Sequence, residues 1–483
     1  MSNRALSLLT MDTDDQRCLS KKKVVRMARR AASPARMAIL IFMICIGLAC
    51  RPIMDFSIYQ KAYMADQNQD PSSVQAILEE EDALIDNGVR TEVNTRSDGQ
   101  GAFHQFLATF QWNKPWAEDE WQSFFLGLSD FNYMEPQVAI DSTCLPPALL
   151  TPDEIRCEDY PTAQFKGKRK QPAKVGHAIQ FGFDVDTLEI HLNELYDVVD
   201  KFFIVEWTES HNAQFNPKPL CWEQVKKQPR FRKFQHKVVH LILDDLDTAV
   251  ADSISNSKKM FAREVYQENL RWQKIILWNN RTNFFGPDDV IGLGDTDEIA
   301  SRRNVELVKH CVMGKPSLDI GIWFPFGNVN YAFRSDFPLR GHPYTLGDPT
   351  FWTLASATEY HRVTKNSPSR MRGYSMSYLL GGIHMTHYSY LPPRIIKSLT
   401  ATEAGARNSL WVELGNAFNS NSVAAFEAKL ALPYGHPNKR VKPLSEIAAK
   451  DLEGIVYYPW FYQCNRARYP RWEWKSDSRL GVL

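Results

Sequence analysis

From residue 178 onward the apolar positions alternate between two periods. Residues 178–183 (AIQFGF) read as a strand. Leu188, Leu192, Leu195 and Val199 then recur at i, i+4, i+7 and i+11 behind an N-cap at Asp186, which predicts a helix with one face toward a sheet. Residues 201–207 (KFFIVEW) and 237–243 (KVVHLIL) are dense in β-branched and aromatic residues, the composition of buried strands. A helical stretch over about 258–279 follows, then a short strand at 289–294 (DVIGLG). This alternation predicts an α/β domain built on an open, mostly parallel sheet with flanking helices, and such sheets bind ligands at the carboxyl ends of their strands.

The pattern upstream is different. Residues 1–36 carry nine Lys or Arg against three Asp, a local charge of +6, whereas the whole chain is +1, which leaves −5 for the remainder. Residues 37–50 (MAILIFMICIGLAC) are the longest apolar run and lie between Arg36 and Arg51. A basic flank followed by an apolar run reads as a cytosolic tail and a signal anchor over residues 37–54, with the rest of the chain in the secretory lumen. Fourteen helical residues cover only about 21 Å against about 27 Å for a thin bilayer, so a cleaved signal peptide and a buried core helix stand as alternatives. Residues 55–175 read as a stem and N-terminal extension. Its stretch 65–100 is polar and acidic, while Trp112, Trp116, Trp121, Phe124 and Phe125 predict packing on the main domain. The basic run 166–170 reads as an exposed linker before a catalytic unit at 176–400. The aromatic-rich segment within 401–483 is expected to dock back on that unit.

Composition narrows the function classes. With 44% hydrophobic and 23% charged residues, bulk disorder and a strongly basic nucleic-acid binder are excluded. Five cysteines follow the apolar run: Cys144, Cys157, Cys221, Cys311 and Cys464. At most two disulfides can form among them, and the lack of a C-x-x-C pair argues against a structural zinc site. A sequon at Asn280-Arg281-Thr282 is compatible with the lumen. Neither G-x-G-x-x-G nor a P-loop occurs, which removes the simplest dinucleotide and NTPase readings.

The chemistry-bearing feature is Asp295-Thr296-Asp297-Glu298, directly after an apolar strand. Partly buried carboxylates at this spacing repel one another. A divalent cation resolves the repulsion, since alternate residues at a strand end put Asp295 and Asp297 on one side, and hard oxygen ligands suit Mn²⁺ or Mg²⁺. A solvated acidic turn is the competing reading.

At this point the residues resemble a family. The run FDVDTLEIHLNELYDVVDKFFIVEWTE with the later K-P-L and KVVHLILDD, Arg263-Glu264 and Gln267, D-D-V-I, D-T-D-E-I and Gly381-Gly382-Ile383-His384 is similar, in this order, to glycosyltransferase family 17, the bisecting N-acetylglucosaminyltransferases. The resemblance covers about residues 176–400. Ile383 stands where the family has Trp, and Ala300 where it has Pro. The resemblance implies a GT-A-like domain in a single-pass type II Golgi membrane protein. It implies UDP-N-acetylglucosamine as donor, a divalent metal, inversion at the anomeric carbon, and transfer in β-1,4 linkage to a β-linked mannose of a glycoprotein N-glycan. A non-catalytic glycan-binding protein of the same fold, or a transferase for another sugar nucleotide, is the alternative.

Residue roles follow as expectations. Asp295 and Asp297 organise the metal, Asp297 directly and Asp295 through water or the ribose. His384 is a third ligand or, equally, a structural histidine. Glu206, Lys218 and Arg263 are expected along the donor site, Glu206 having a buried structural role and Arg263 a pairing with Glu264 as their alternatives. Inverting transfer needs a proton acceptor within about 2.6–3.2 Å of the acceptor hydroxyl. Asp348, Glu298 and Glu359 are the candidates, with Asp348 doubling as a turn residue before proline. Trp323, Phe324, Phe326, Trp352 and Tyr374 are sugar-stacking candidates or core.

Overall fold

The strand-forming runs condense on one sheet whose order is set by where each buried face finds cover. A computed structural model describes residues 105–110, 117–136, 138–210, 218–244, 262–326, 328–335, 338–339, 341–364, 366–368, 377–385, 391–400, 441–469 and 472. The expected anchor and acidic stem, Trp112, Trp116, Tyr374, and all of 401–440 and 473–483 lie outside the described residues. Among the described residues no helix is long and apolar enough to cross a membrane.

In chain order, helix α1 (Glu118–Tyr133) and strand β1 (Phe165–Lys168) precede β2 (Val175–Gln180), α2 (Val185–Leu195), β3 (Lys201–Trp207), α3 (Cys221–Val225) and β4 (Val238–Leu243). Then come α4 (Ala262–Thr282), β5 (Val290–Asp295), β6 (Glu298–Ala300), α5 (Arg302–His310), β7 (Cys311–Met313) and β8 (Ser317–Trp323). The short β9 (Pro325–Phe326) and β10 (Asn328–Phe333) lead to β11 (Thr345–Thr353), α6 (Leu354–Thr364), β12 (Tyr378–His384) and α7 (Leu391–Thr400). Last are β13 (Val441–Pro443), α8 (Ala449–Leu452) and α9 (Trp460–Cys464).

Eight strands form the main sheet in the order β4-β3-β2-β5-β11-β8-β12-β6. β4, β3, β2 and β5 are mutually parallel, with Ala178 opposite both Phe203 and Leu293. Beyond β5 the sheet is mixed: β11 runs antiparallel to β5 and β8, β12 is parallel to β8, and β6 closes the edge antiparallel to β12. Six of the eight strands, all but β11 and β6, therefore run the same way, as the expectation of a mostly parallel sheet has it, within a mixed α/β fold. Strands β3 and β4 extend the sheet on one side of β2 and β5 on the other. A crevice must open where the connections diverge, at the carboxyl ends of β2 and β5.

Helix α2 begins two residues earlier than expected, with Asp184 rather than Asp186 at its N-cap. Leu188, Leu192 and Leu195 pack into the apolar core with Val199 and Ile204, each fully buried. The opposite face is buried too, and its acids explain how. Glu189 accepts from Arg468 (2.9 Å), the Tyr469 hydroxyl (3.0 Å) and Arg230 (3.2 Å). Glu194 accepts from the amides of Trp460 (2.8 Å) and Arg302 (3.0 Å) and from the Tyr457 hydroxyl. The aromatic C-terminal segment thus covers a helix that by periodicity alone has a solvent face. Trp323 donates its indole N–H to Tyr457 O at 2.7 Å on the same side.

Two disulfides tie distant segments together, Cys144–Cys464 and Cys157–Cys311, and Cys221 is a buried free thiol whose pKa burial pushes up to about 12. The basic run at 166–170 is not a linker. Phe165–Lys168 pairs antiparallel with β7, and Arg169 donates to the carbonyls of Cys311 (3.0 Å) and Asp288 (2.9 Å). Phe165 is buried, and this apolar anchor holds the basic strand against the domain. Helix α1 packs against α7. Gly382 in β12 has φ +152°, and a Cβ there would stand 2.6 Å from Ile299 O, so this glycine permits β12 to pass close to β6 rather than serving as a hinge.

Candidate active site

The crevice at the switch point is an open cleft with a volume of about 140 Å³. Its floor comes from three strand ends: Gln180 to Asp184 after β2, Trp207 to Ser210 after β3, and Asp295 to Asp297 after β5. Lys218, Gln267 of α4, and Lys397 and Thr400 of α7 form the rest of the wall.

The acidic turn is fixed by the strands around it. Thr296 donates through its amide (3.2 Å) and hydroxyl (2.8 Å) to Gln180 O, which locks β5 to β2 at the cleft. From behind, His191 Nδ1 lies 2.9 Å from Thr296 O, and the other ring nitrogen lies 3.0 Å from His177 Nε2. Both imidazoles are fully buried, and desolvation lowers both pKa values, His191 to about 4. The neutral ring can therefore donate to the Thr296 carbonyl. Asp295 N donates to Glu298 at 2.8 Å, and Met385 N to Asp297 O at 2.6 Å, which closes the turn from the β12 side.

Charge is unbalanced here. The lining holds four acids (Asp184, Glu209, Asp295, Asp297) and two bases (Lys218, Lys397), a formal −2, and Arg263 behind the wall offsets one by pairing with Glu209. Lys397 Nζ donates to Asp297 at 2.5 Å. Burial alone would lower the Lys397 pKa, but Asp297, Asp184 and Asp295 hold it above the usual lysine range. Asp184 is pushed up to about 6, first by burial and then by Asp297 and Asp295, with Lys397 opposing.

The residues fit a divalent cation on these grounds: two carboxylates on one turn, a third close enough to be perturbed by them, and hard oxygen donors throughout. Among the described residues no three His, Cys, Asp or Glu side chains converge into a ready-made cage. That is the arrangement expected of Mg²⁺-like ions, which take one or two carboxylates and complete their shell with phosphate and water.

The structure brings together Asp295, Asp297 and Lys218, but not every expected residue. His384 ends β12 with its ring 4.5 Å from Phe324 and does not line the cleft, so the three-ligand set with Asp295 and Asp297 is not assembled. Glu206 is fully buried and accepts from the α3 amides of Cys221 (2.6 Å) and Trp222 (3.0 Å), from His240 (2.9 Å) and from Lys218 (3.3 Å). Its four partners leave it no acceptor capacity for a nucleotide, and it caps α3 instead. Arg263 pairs with Glu209 and lies over the Trp207 ring at 4.9 Å, so it props the wall. Asp348 is fully buried where the β11 register slips, inside a strand rather than a turn, and Glu298 is buried on β6. Neither lines the cleft. Glu359 is exposed on α6 and paired with Arg362 at 2.6 Å. Trp323 and Trp352 are core. Three residues escaped sequence reasoning. Asp184 carried a signal, an acid directly past a strand, but the periodicity drew the helix start to Asp186. Glu209 and Lys397 had none, because their role depends on contacts across the chain.

Comparison with known proteins agrees with this geometry. The family model for glycosyltransferase family 17 matches residues 155–334, which contain β2 through β8 and the acidic turn. The rat and human proteins named beta-1,4-mannosyl-glycoprotein 4-beta-N-acetylglucosaminyltransferase are each 26% identical over 174 residues, 35% of this chain. The mouse protein of the same name matches equally. The chain spans about three-tenths of the length of these relatives. Residues 155–334, the part of the chain that builds three strand ends of the cleft, are thus similar to glycosyltransferase family 17.

Proposed function

We propose that this protein is an inverting N-acetylglucosaminyltransferase. It takes the sugar from UDP-N-acetylglucosamine to a β-linked mannose of a glycoprotein N-glycan in β-1,4 linkage, working in the Golgi lumen behind an anchor at residues 37–54. The observation that carries the reading is the acidic turn of β5 at the switch-point cleft, inside the segment similar to family 17. The same placement supports a GT-A-like description of the domain. Asp295 and Asp297 would hold Mn²⁺ or Mg²⁺, which supplies neutralisation of the departing diphosphate.

The chain's own residues supply the rest. Thr296, locked to Gln180 and His191, holds the two aspartates in one orientation, so little reorganisation is needed as charge develops. Lys218 sits on the wall above the Phe183 ring at 4.9 Å, held there by Glu206 (3.3 Å) and Pro219 O (3.1 Å). The proton acceptor must reach the acceptor sugar, and Glu298 and Asp348 do not line the cleft. Asp184 lines the cleft beside Asp295 and Asp297 and is the candidate proton acceptor there. The test is a panel of nucleotide sugars with Mn²⁺ and mannose-containing N-glycans. Transfer of N-acetylglucosamine from the UDP donor is expected, and absence of transfer from every UDP-sugar would overturn the assignment.

A further inference from the structure

The cleft holds a cation of its own, and its position is the informative point. Lys397 reaches from α7 to Asp297 and donates to Oδ2 at 2.5 Å. Its side chain is about a third exposed, whereas that of Asp297 is 6% exposed, so the lysine comes from the solvent side and covers the carboxylate from the open cleft. Asp297 approached by a divalent ion must therefore share or surrender this contact. Asp184 and Asp295 lie close enough to act on the same ammonium. Across the cleft Lys218 is already committed to Glu206 (3.3 Å) and Pro219 O (3.1 Å).

We propose that Lys397 is an exchangeable cation. It neutralises Asp297 while the cleft is empty, gives that carboxylate up when a divalent ion arrives, and turns its ammonium to the diphosphate of the nucleotide. The inference rests on the nucleotide-sugar reading given above and adds a specificity-determining residue to it. Three features support the exchange. An acid cluster without a counter-ion is costly in a half-buried site, and a lysine ammonium on a flexible four-carbon stem offsets that cost without backbone movement. The diphosphate would enter beside the very carboxylate the lysine now holds. Once the ion sits on Asp297, ammonium and metal repel one another, and the diphosphate gives the ammonium an anion that the metal does not already hold.

The test reads binding, with opposite signs for the two ligands. In the full chain, Lys397→Met should bind Mn²⁺ alone about ten-fold more tightly, because the competing cation is gone, and bind UDP in saturating Mn²⁺ about ten-fold more weakly, because the phosphate partner is gone. A purely structural lysine would not move these two affinities in opposite directions. Lys397→Arg keeps the charge and should restore most of the UDP affinity. A wild-type measurement guards against a variant that fails to fold: amine-reactive labelling of Lys397, read by mass spectrometry. Mn²⁺ alone should raise the labelling by about three-fold or more as the ion pair opens, and Mn²⁺ with UDP should bring it below the starting level. Labelling indifferent to Mn²⁺, or Lys397→Met with unchanged or weakened Mn²⁺ affinity, overturns the exchange. Sugar transfer that proceeds while the exchange fails removes only this inference. Exchange seen without transfer from any UDP-sugar removes only the sugar-transfer assignment.

Discussion

Two groups of buried acids in this molecule behave in opposite ways. Glu189 and Glu194 under the C-terminal segment, and Glu206 at the start of α3, each meet three or more donors, from arginines, tyrosine hydroxyls, a histidine and helix amides. At the cleft, Asp184, Asp295 and Asp297 crowd together around one lysine, and Asp184 is pushed up toward neutrality. Satisfied acids hold elements in place. Acids left in surplus at a strand end hold affinity for something that arrives. Burial alone does not separate the two groups, since Glu206 and Asp297 are both buried; the identity and number of partners does.

Substitutions can break that comparison, and the largest effect is expected on activity. Asp297→Ala should lower sugar transfer at least a thousand-fold, about 4 kcal/mol of transition-state stabilisation, while the melt stays within a few degrees. Full activity in this variant would dismiss the metal assignment. Glu189→Ala should do the reverse. It strands Arg468 and Arg230, and loss of one partner of a buried pair costs about 3–4 kcal/mol, read as a clear fall in denaturant midpoint. A melt unchanged by that substitution would show that the two groups do not differ as described. Replacing Cys144 by Ser removes the Cys144–Cys464 tie and should cost about 2–3 kcal/mol in non-reducing buffer, with no added loss when reductant is present.

The smallest expected effect concerns pH. His191 has its folded pKa depressed to about 4 against 6.5 for the free side chain. Its contribution is therefore present above pH 6.5 and lost as pH falls toward 4, because the unfolded chain then binds the proton more readily. Between pH 7 and 5 this amounts to about 1–2 kcal/mol. The wild-type chain should lose more melting temperature over that range than His191→Gln, and equal slopes would remove the neutral-imidazole account of the acidic turn.

Much of the frame was legible in residue order. The periodicity of β3 matched its observed span, and β4 and β5 fell within one residue of their expected starts, because long β-branched runs leave few alternatives. Less was legible where a contact from far along the chain decided the outcome. Arg468 and Tyr469 bury a helix face that reads as solvent-exposed, and Met313 and Cys311 turn a basic run into a strand. The cleft divides in the same way. The acidic turn was visible as a motif at a strand end, whereas Glu206 had the same sequence context and proved to be a cap for α3.

Local pattern by itself determined the strand and helix runs, the parallel half of the sheet and the position of the acidic turn after β5, since periodicity and β-branching act over a few residues. Tertiary structure alone decided which acids are satisfied, that His384 stands apart from Asp295 and Asp297, and that Lys397 sits on Asp297 from 100 residues away. Electrostatic partnership depends on distance in space, and chain order does not encode that distance until the sheet has closed.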